Sequence, residues 1–277
     1  MGFRILLCVD SSNCAASAAT LALNLLAGIE DGELTVMHVV NVVQPSGNLL
    51  KDLPGRLGFE PAVVSKEEGE RQDEVGRTVL GQLKVDAQQR GLELTTVLEH
   101  GAVVERITHW ADKGFDLLML GLKGETNERY PGSGGASVHN VLTGISIPAL
   151  LVPHGVSAIT GVAVGYDGSP AALRTIEAVR PLVTAFDFPV FALYVSADGS
   201  GGEILAEVPD RLENDRVRDL VVQGDVVHEA LAATAEEVGA NVLAVGFKGH
   251  SRLKDFVFGS AAEYIVSNTN LIVLVSH

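Results

Sequence analysis

The chain repeats itself, and this repeat limits its possible folds more than any other feature of the sequence. A series of landmarks occurs twice in the same order along the 277 residues. Such a repeat indicates two copies of one domain rather than one large domain. We predict domains at residues 1–155 and 156–277, joined near residues 153–157. The repeated segments are FRILLCVD (3–10) and TGVAVGYD (160–167), VLEHGAVV (97–104) and LVVQGDVV (220–227), FDLLMLGLKG (115–124) and ANVLAVGFKG (240–249), and IPALLVPH (147–154) and NLIVLVSH (270–277).

The two copies differ in length in their middle part. The first copy spans 111 residues from Asp10 to Gly121, whereas the second spans 79 from Asp167 to Gly246. In the first copy we predict a loop containing Gly and Pro at residues 44–61, followed by a polar helix at about 66–90. The second copy is predicted to be trimmed at this place, with only a Gly-rich turn (198–202) and a short helical segment (203–213).

The apolar segments of each copy predict the strands of a parallel sheet. The runs ILLCV, LTVMHVV, LLMLG and PALLV are continuous rather than alternating, which is typical of strands covered on both faces. Segments with helical periodicity, such as residues 12–27 and 102–112, lie between them. We predict an α/β fold, with two tandem five-stranded parallel-sheet domains, helices on both faces and a Rossmann-like architecture.

The first helix of the second copy carries start and stop signals. Ser169 is predicted to be its N-cap and Pro170 its first residue. Pro181 follows eleven residues later, and proline removes a helical N–H donor. We therefore expect the helix to kink or end at Pro181.

Composition excludes several classes of protein. With 47% hydrophobic residues, the chain can bury enough apolar surface to fold, which excludes disorder. The formal net charge of −15 excludes general nucleic-acid binding, which needs a basic surface. The apolar runs are too short to cross a membrane. Asp10 interrupts any secretory signal, and Cys8 and Cys14 are too few for a disulfide framework, so the expected location is a reducing cytoplasm.

A glycine-rich loop after the fourth strand of the second copy predicts an anion site. Gly246 and Gly249 are followed, after nine residues, by Gly259 and Ser260. Glycines let a backbone approach phosphate closely, and Ser260 begins a capping box, so a helix N-terminus with unpaired N–H groups lies beside the loop. Three cations against one acid leave the loop with a net charge of +2. These charged residues are Lys248, Arg252, Lys254 and Asp255.

The corresponding loop of the first copy leaves two interpretations open. Gly121 and Gly124 are present, but the cations that follow are offset by acids, and the run at 132–137 is rich in Gly and Ser. This run is compatible with an anion-binding nest, and equally with a flexible loop that has no ligand. The opposed charges are Lys123 and Arg129 against Glu125 and Glu128.

The aspartate after the first strand of each copy and the loop of the second copy together resemble the universal stress protein family. ATP-binding members of that family carry glycine, two residues, glycine, nine residues, glycine and then serine or threonine. The loop from Gly246 to Ser260 matches this pattern without a gap. The resemblance covers both copies and nearly the whole chain, so the chain is similar to a tandem universal stress protein with an adenine-nucleotide α-hydrolase-like fold.

The resemblance implies ATP as the ligand, with or without Mg²⁺, and a role for each matching residue. Asp167 would contact the adenine or the ribose, and the backbone near Val195 would meet the adenine edge. By the same mapping the first copy offers Asp10, Val40, Gly121 and Gly124, although its spacing of nine residues ends at Gly134 without the serine. The residues that would surround the phosphates are Gly246, Gly249, Gly259, Ser260 and Ala261.

In this family the last strand of the domain often pairs with the last strand of a partner. The resemblance therefore implies either a homodimer or an intramolecular pairing of the two domains. It indicates no nucleic-acid or membrane partner, and the protein partner is not identified.

The sequence contains no pattern typical of strong catalysis. The Walker A, GxGxxG and HExxH patterns are absent, so we assign no catalytic or metal-binding residue. Our interpretation is a regulatory adenine-nucleotide-binding protein of the stress response, with at most slow ATP hydrolysis. One alternative is an adenylyl-transferring or ATP-cleaving enzyme of the same superfamily. Another is an assembly module without nucleotide, whose copies dock sheet edge to sheet edge.

A few other reactive or aromatic side chains are assigned to packing. Cys8 and Cys14 are predicted to be buried, inert thiols. His38 in the second strand and His109 in a helix are interpreted as core or surface residues rather than as ligands. Trp110 is predicted to pack and not to serve as a stacking platform.

Overall fold

A computed structural model describes residues 2–41, 66–124, 136–247 and 260–277 of the chain. Within them, ten strands alternate with helices. The strands are β1 (Arg4–Val9), β2 (Glu33–Val40), β3 (Thr95–His100), β4 (Leu117–Gly121), β5 (Ala149–Val152), β6 (Val162–Gly165), β7 (Val190–Ser196), β8 (Arg218–Gln223), β9 (Val242–Gly246) and β10 (Ile272–Ser276). The helices are α1 (Asn13–Gly28), α2 (Lys66–Gln89), α3 (Val103–Ala111), α4 (Ala136–Gly144), α5 (Pro170–Ala185), α6 (Val208–Leu212), α7 (Val227–Glu237) and α8 (Ser260–Asn268), and a 3₁₀ helix covers Gly202–Glu207.

The strands form one sheet made of two equivalent halves. Its order is β3-β2-β1-β4-β5-β10-β9-β6-β7-β8, and every pairing inside a half is parallel. Each half therefore repeats the same five-stranded order, with its first strand in the middle. This arrangement confirms the predicted α/β fold and the strands read from the continuous apolar runs.

The two halves join through their last strands. β5 pairs antiparallel with β10, and Leu150 lies opposite Leu274 at the centre of this pairing. Both leucines are fully buried. The intramolecular pairing that the family resemblance implied is thus present, and the antiparallel direction relates the halves by a pseudo-two-fold axis near these leucines.

The helices cover both faces of the sheet, as predicted. One core cluster contains buried residues of α1, α2, α5 and α6, and the other contains buried residues of α3, α4, α7 and α8. Residues that alternate along a strand go to opposite clusters, as Ile5 and Leu6 of β1 do. Because both faces are buried, the inner strands are mostly apolar, whereas the edge strands β3 and β8 are more exposed and carry polar and charged residues.

Helix α5 begins as predicted but does not end at its internal proline. The Ser169 side chain accepts a hydrogen bond from the Ala172 N–H at 3.2 Å, and Pro170 is the first helical residue. The helix continues through Pro181 to Ala185. Of the two outcomes predicted for Pro181, a kink or an end, the end is therefore wrong. Burial of Leu182 and Val183 in the core stabilises this last turn against the loss of one hydrogen bond.

The middle part of the second half is shorter than that of the first half, as the lengths of the two sequence copies predicted. α2 runs for 24 residues in the first half, close to the predicted 66–90. The second half has only the 3₁₀ helix and the five-residue α6 at this place. The predicted loop at 44–61 lies outside the described residues. No helix among the described residues has both the length and the apolar character needed to span a membrane.

Both cysteines lie in the core of the first half. Cys8 in β1 and Cys14 in α1 are buried and form no disulfide. Burial raises the pKa of the Cys8 thiol far above its ordinary value, because the thiolate would be poorly solvated there. The thiol therefore stays protonated and unreactive, as the sequence predicted.

Candidate functional site

The first strand of each half ends in the same hydrogen-bonded turn. The Asp10 carboxylate accepts a hydrogen bond from the Ser12 N–H at 2.9 Å, and the Asp167 carboxylate accepts one from the Ser169 N–H at 3.0 Å. Each serine then caps the following helix, as Ser12 does by accepting from the Ala15 N–H at 3.0 Å. The two predicted aspartates therefore hold equivalent positions at the carboxyl edge of the sheet, where parallel α/β sheets bind ligands.

The glycines that end β4 and β9 lie directly against these helix N-termini. A Cβ atom added to Gly121 would come within 2.8 Å of the Ala15 nitrogen, and one added to Gly246 would come within 2.9 Å of the Ala171 backbone. Such contacts are closer than real Cβ atoms make. The first glycine of the loop pattern is therefore required by the packing of strand against helix, with or without a ligand.

Gly124 lies next to the aspartate of the candidate site in the first half. A Cβ atom at Gly124 would lie 3.1 Å from the second carboxylate oxygen of Asp10. The structure thus brings together Asp10, Gly121 and Gly124, three of the four first-half residues that the family resemblance implied. Glycine at position 124 therefore lets the backbone lie closer to the Asp10 carboxylate than a residue with a side chain would allow.

In the second half, the structure describes part of the predicted set. Asp167 is exposed at the carboxyl edge, next to β9, which ends at Gly246. Ser260 and Ala261 begin α8, and because α8 connects the parallel strands β9 and β10, its N-terminus lies at this same edge. Gly249 and Gly259 and the charged residues between them lie outside the described residues.

The predicted equivalence of Val40 and Val195 is wrong by one position. Val40 lies opposite His100 in the β2–β3 pairing, whereas Ser196 lies opposite Gln223 in the matching β7–β8 pairing. The sequence repeat makes His100 and Gln223 equivalent, so Val40 matches Ser196 and Val195 matches Val39. Val39 and Val195 also pack against the same core cluster. The last landmark shifts in the same way, since Val152 pairs with Gly121 as Ser276 pairs with Gly246.

A buried tyrosine next to Asp167 was missed by the sequence analysis. The Tyr166 hydroxyl donates a hydrogen bond to the Glu207 carboxylate, which also forms an ion pair with Arg211 at 2.7 Å. Burial, and then the bond to Glu207, raise the pKa of Tyr166 to about 12. The hydrogen bond from Tyr166, and then Arg211, hold the pKa of Glu207 below its ordinary value. Only the unusual position of a tyrosine at the end of a buried strand indicated this cluster.

Residues assigned to packing make structural contacts. Nδ1 of the His38 ring forms a hydrogen bond with the Val9 carbonyl oxygen at 2.9 Å. The Trp110 indole N–H donates to Glu99 at 2.8 Å, and its ring lies beside Phe115. In the described part of the chain, no three His, Cys, Asp or Glu side chains are grouped closely enough to hold a metal ion.

Comparison with known proteins gives a match in each half. The model of the universal stress protein family matches residues 1–153 and 160–277. Universal stress protein Slr1230 of Synechocystis is 24% identical over 98% of both chains. The crystal structure of a universal stress protein from Archaeoglobus fulgidus shares the fold with a TM-score of 0.75 at 20% identity, covering 99% of this chain and 97% of that one. A functionally unknown protein from Pseudomonas aeruginosa matches with a TM-score of 0.61 at 12% identity, covering 99% and 92%.

Proposed function

The chain belongs to the universal stress protein family and carries its domain twice, and from this membership we propose that its second half binds ATP. The proposal concerns the carboxyl edge of β6 and β9. It assigns the main binding function to the second half, because the first half lacks the complete loop pattern.

The observation that carries the proposal is the meeting of three features at this edge. The exposed carboxylate of Asp167, the closely packed Gly246 and the N-terminus of α8 all lie there. A helix N-terminus carries unpaired N–H groups and partial positive charge, which favour a phosphate group. In the sequence, the glycines and cations of the loop lie between Gly246 and Ser260, and so between the end of β9 and the start of α8.

The chemistry of these residues fits an adenine nucleotide. A carboxylate such as Asp167 accepts hydrogen bonds from ribose hydroxyls or an adenine amino group. Main-chain groups near Val195, at the end of the neighbouring strand, would meet the adenine edge. The backbone N–H groups of the loop and of Ser260 and Ala261 suit the phosphates.

A magnesium ion would enter this site with the nucleotide. Magnesium usually keeps several waters and binds through substrate phosphates, with one or two carboxylates. We assign no carboxylate of the chain to the ion, since Asp167 is given to the adenine or the ribose. Since we assign no general base, we propose at most slow ATP hydrolysis and a regulatory role in the stress response, in the cytoplasm.

Thermal unfolding with and without nucleotide tests the proposal. We expect Mg·ATP to raise the Tm of the nucleotide-free protein, because a ligand at 100 times its Kd stabilises the folded state by about 2.7 kcal/mol. Gly259→Val should abolish the shift. The matched control is Gly134→Val in the first half, which should keep it. A wild-type protein with an unchanged Tm at millimolar Mg·ATP would contradict the proposal.

The joined sheet favours a second candidate function, that of an assembly module without nucleotide. The β5–β10 pairing shows that the two domains dock through their last strands. Mass spectrometry of the purified protein under native conditions separates the candidates. Co-purified ATP or AMP supports the nucleotide proposal, whereas a ligand-free protein that ignores added ATP supports the assembly role.

A further inference from the structure

The pseudo-two-fold axis between β5 and β10 relates two grooves, one beside α1 and one beside α5. We call them the linker groove and the open groove. Positions in the linker groove have counterparts in the open groove, because Asp10 is equivalent to Asp167 and Gly121 to Gly246. By these equivalences Ser17 matches Arg174, Asn24 matches Pro181, and Asn241 matches Asp116.

The linker groove is filled by the chain itself. Residues 154–160 leave β5 and run across α1 to β6 as a segment without regular structure. Val156 packs against the core and Ile159 is buried. Polar side chains of the groove bind the main chain of this segment. These contacts are Gly155 N–H to Ser17 Oγ (3.0 Å), Asn24 Nδ2 to the Ser157 carbonyl (2.7 Å), Asn241 Nδ2 to the Ala158 carbonyl (2.8 Å) and Thr160 N–H to Asn241 Oδ1 (2.8 Å).

The open groove contains a cavity of about 320 Å³. Its lining includes Arg174 and Pro181 of α5 and Asp116 at the start of β4. These three residues are the counterparts of the three that bind the linker in the other groove. By the same repeat, Gly2 and Phe3 are the counterparts of Ile159 and Thr160, and Phe3 lines the cavity. The cavity therefore lies where the symmetry would place the counterpart of residues 154–157. Its volume is at the lower end of the range of ligand pockets, which is about 300–1,000 Å³.

The charges around the cavity determine what would fit. The Arg174 side chain is exposed and forms no hydrogen bond or ion pair with the residues that the structure describes. Its neighbour Glu177 is paired with Arg180 at 2.8 Å. The Asp116 carboxylate accepts a hydrogen bond from the Arg4 N–H at 2.8 Å. The open groove thus offers a cation where the linker groove has the neutral Ser17.

We propose that the open groove binds a short extended peptide segment of another protein, held as residues 154–157 are held in the linker groove. An acidic side chain of the segment would pair with Arg174, since guanidinium and carboxylate form strong, bidentate hydrogen bonds. Pro181 supplies an apolar contact in place of Asn24. Asp116 already accepts the Arg4 N–H of this chain, so the segment would end before it.

The linker itself supplies the probe for a direct test. We would use a fluorescent, end-blocked peptide with the sequence of residues 153–157, in which His154 is replaced by Glu, and a second peptide with Lys there. Gly155 is kept because its φ of +83° favours glycine. The tethered linker has a high effective concentration in its own groove, so the free peptide reports on the open groove.

Fluorescence anisotropy with full-length protein gives the outcome. We expect the Glu peptide to bind at least tenfold more tightly than the Lys peptide, and Arg174→Glu to reverse this preference. Lys84→Glu, an equal change of charge on α2, should leave it unchanged. Absence of binding at millimolar protein, or a preference that survives Arg174→Glu, would overturn the proposal. Because the groove lies outside the nucleotide residues, the ATP-induced shift in Tm should be the same in Arg174→Glu.

Discussion

At the carboxyl edge of the sheet, the first half passes from β1 into α1 through Asp10 and Ser12, and the second half makes the same turn through Asp167 and Ser169. Each half also ends its fourth strand in a glycine that contacts the first turn of the helix. These shared contacts satisfy helix N-terminal N–H groups and allow close packing. They are requirements of folding, which explains why both copies keep them.

The halves differ in what surrounds these turns. The second half replaces Val9 by Tyr166, which binds Glu207 of the 3₁₀ helix. Among its described residues it has no counterpart to the long α2, and in the sequence its loop keeps the complete glycine and serine pattern that the first half lacks. We infer that a residue shared by both halves reports on folding, whereas a residue present in one half is the better guide to binding.

The largest effect that would test this comparison is the loss of a packing glycine. Gly121→Val and Gly246→Val each place side-chain atoms against helix backbone, so we expect both to lower the free energy of unfolding by about 3 kcal/mol. Urea denaturation measures the change. Gly81→Ala in α2, where a Cβ atom meets no neighbour within 4 Å, should instead stabilise by about 0.5–1 kcal/mol. A large loss at only one of the two glycines would break the comparison.

Alanine in place of each aspartate would separate folding from binding. Asp10→Ala and Asp167→Ala should lose similar stability, about 1 kcal/mol, because both remove the same turn and weaken the same cap. Only Asp167→Ala should weaken ATP binding, by about tenfold, the equivalent of one charge-assisted hydrogen bond. Isothermal titration calorimetry measures the affinity. Equal losses of affinity in both variants would show that the halves bind alike.

The Tyr166 hydroxyl is a feature of the second half alone. Tyr166→Phe should cost about 1 kcal/mol, because a buried hydrogen bond is lost, whereas Tyr194→Phe should cost less. A pKa raised in the folded state to about 12 means that this stabilisation is complete below pH 10 and is lost as the pH rises toward 12. The free energies of unfolding of the wild type and of Tyr166→Phe, measured by urea denaturation from pH 8 to 11.5, should therefore converge as the pH rises.

The smallest expected effect concerns an exposed pair in the first half. His100 lies 2.7 Å from Asp73 and lowers the pKa of this carboxyl below its ordinary value of 3.8. His100→Gln gives the first half the residue that the second half has at this place, Gln223. Exposed pairs contribute little, so we expect no change in unfolding free energy at pH 7.

The titration of Asp73 gives the measurement for this pair. A carboxyl group whose pKa is lowered in the folded state favours folding at pH values above its ordinary pKa. This contribution is lost as the pH falls through the lowered pKa. The Asp73 carboxyl signal, followed by NMR, should titrate at higher pH in His100→Gln than in the wild type. An unchanged midpoint would show that His100 is not the cause of the lowered pKa.

The sequence predicted the architecture well because its signals are local. The continuous apolar runs specified the strands, and Ser169 with Pro170 specified a helix start. The repeat in turn indicated that each strand has a counterpart. Pro181 misled the prediction because tertiary packing of Leu182 and Val183 outweighs a local helix signal.

The candidate site was less predictable because its details depend on distant contacts. Val40 and Val195 were matched by similarity, but the register of a strand is set by its neighbours in the sheet. The contact between Tyr166 and Glu207 joins residues 41 positions apart. That Gly246 is also needed to pack against α5 has no signature in the sequence. Such constraints become visible only when the strands are in place.

Because β5 and β10 run in opposite directions, the carboxyl edges of the two halves point to opposite ends of the molecule. Any ligand on one half is therefore separated from its counterpart by the full height of the sheet and cannot share a phosphate cluster with it. Because the two halves are covalently connected, their pairing through β5 and β10 does not depend on protein concentration. Dilution that would dissociate two separate domains leaves the two ends of this molecule at a fixed one-to-one ratio.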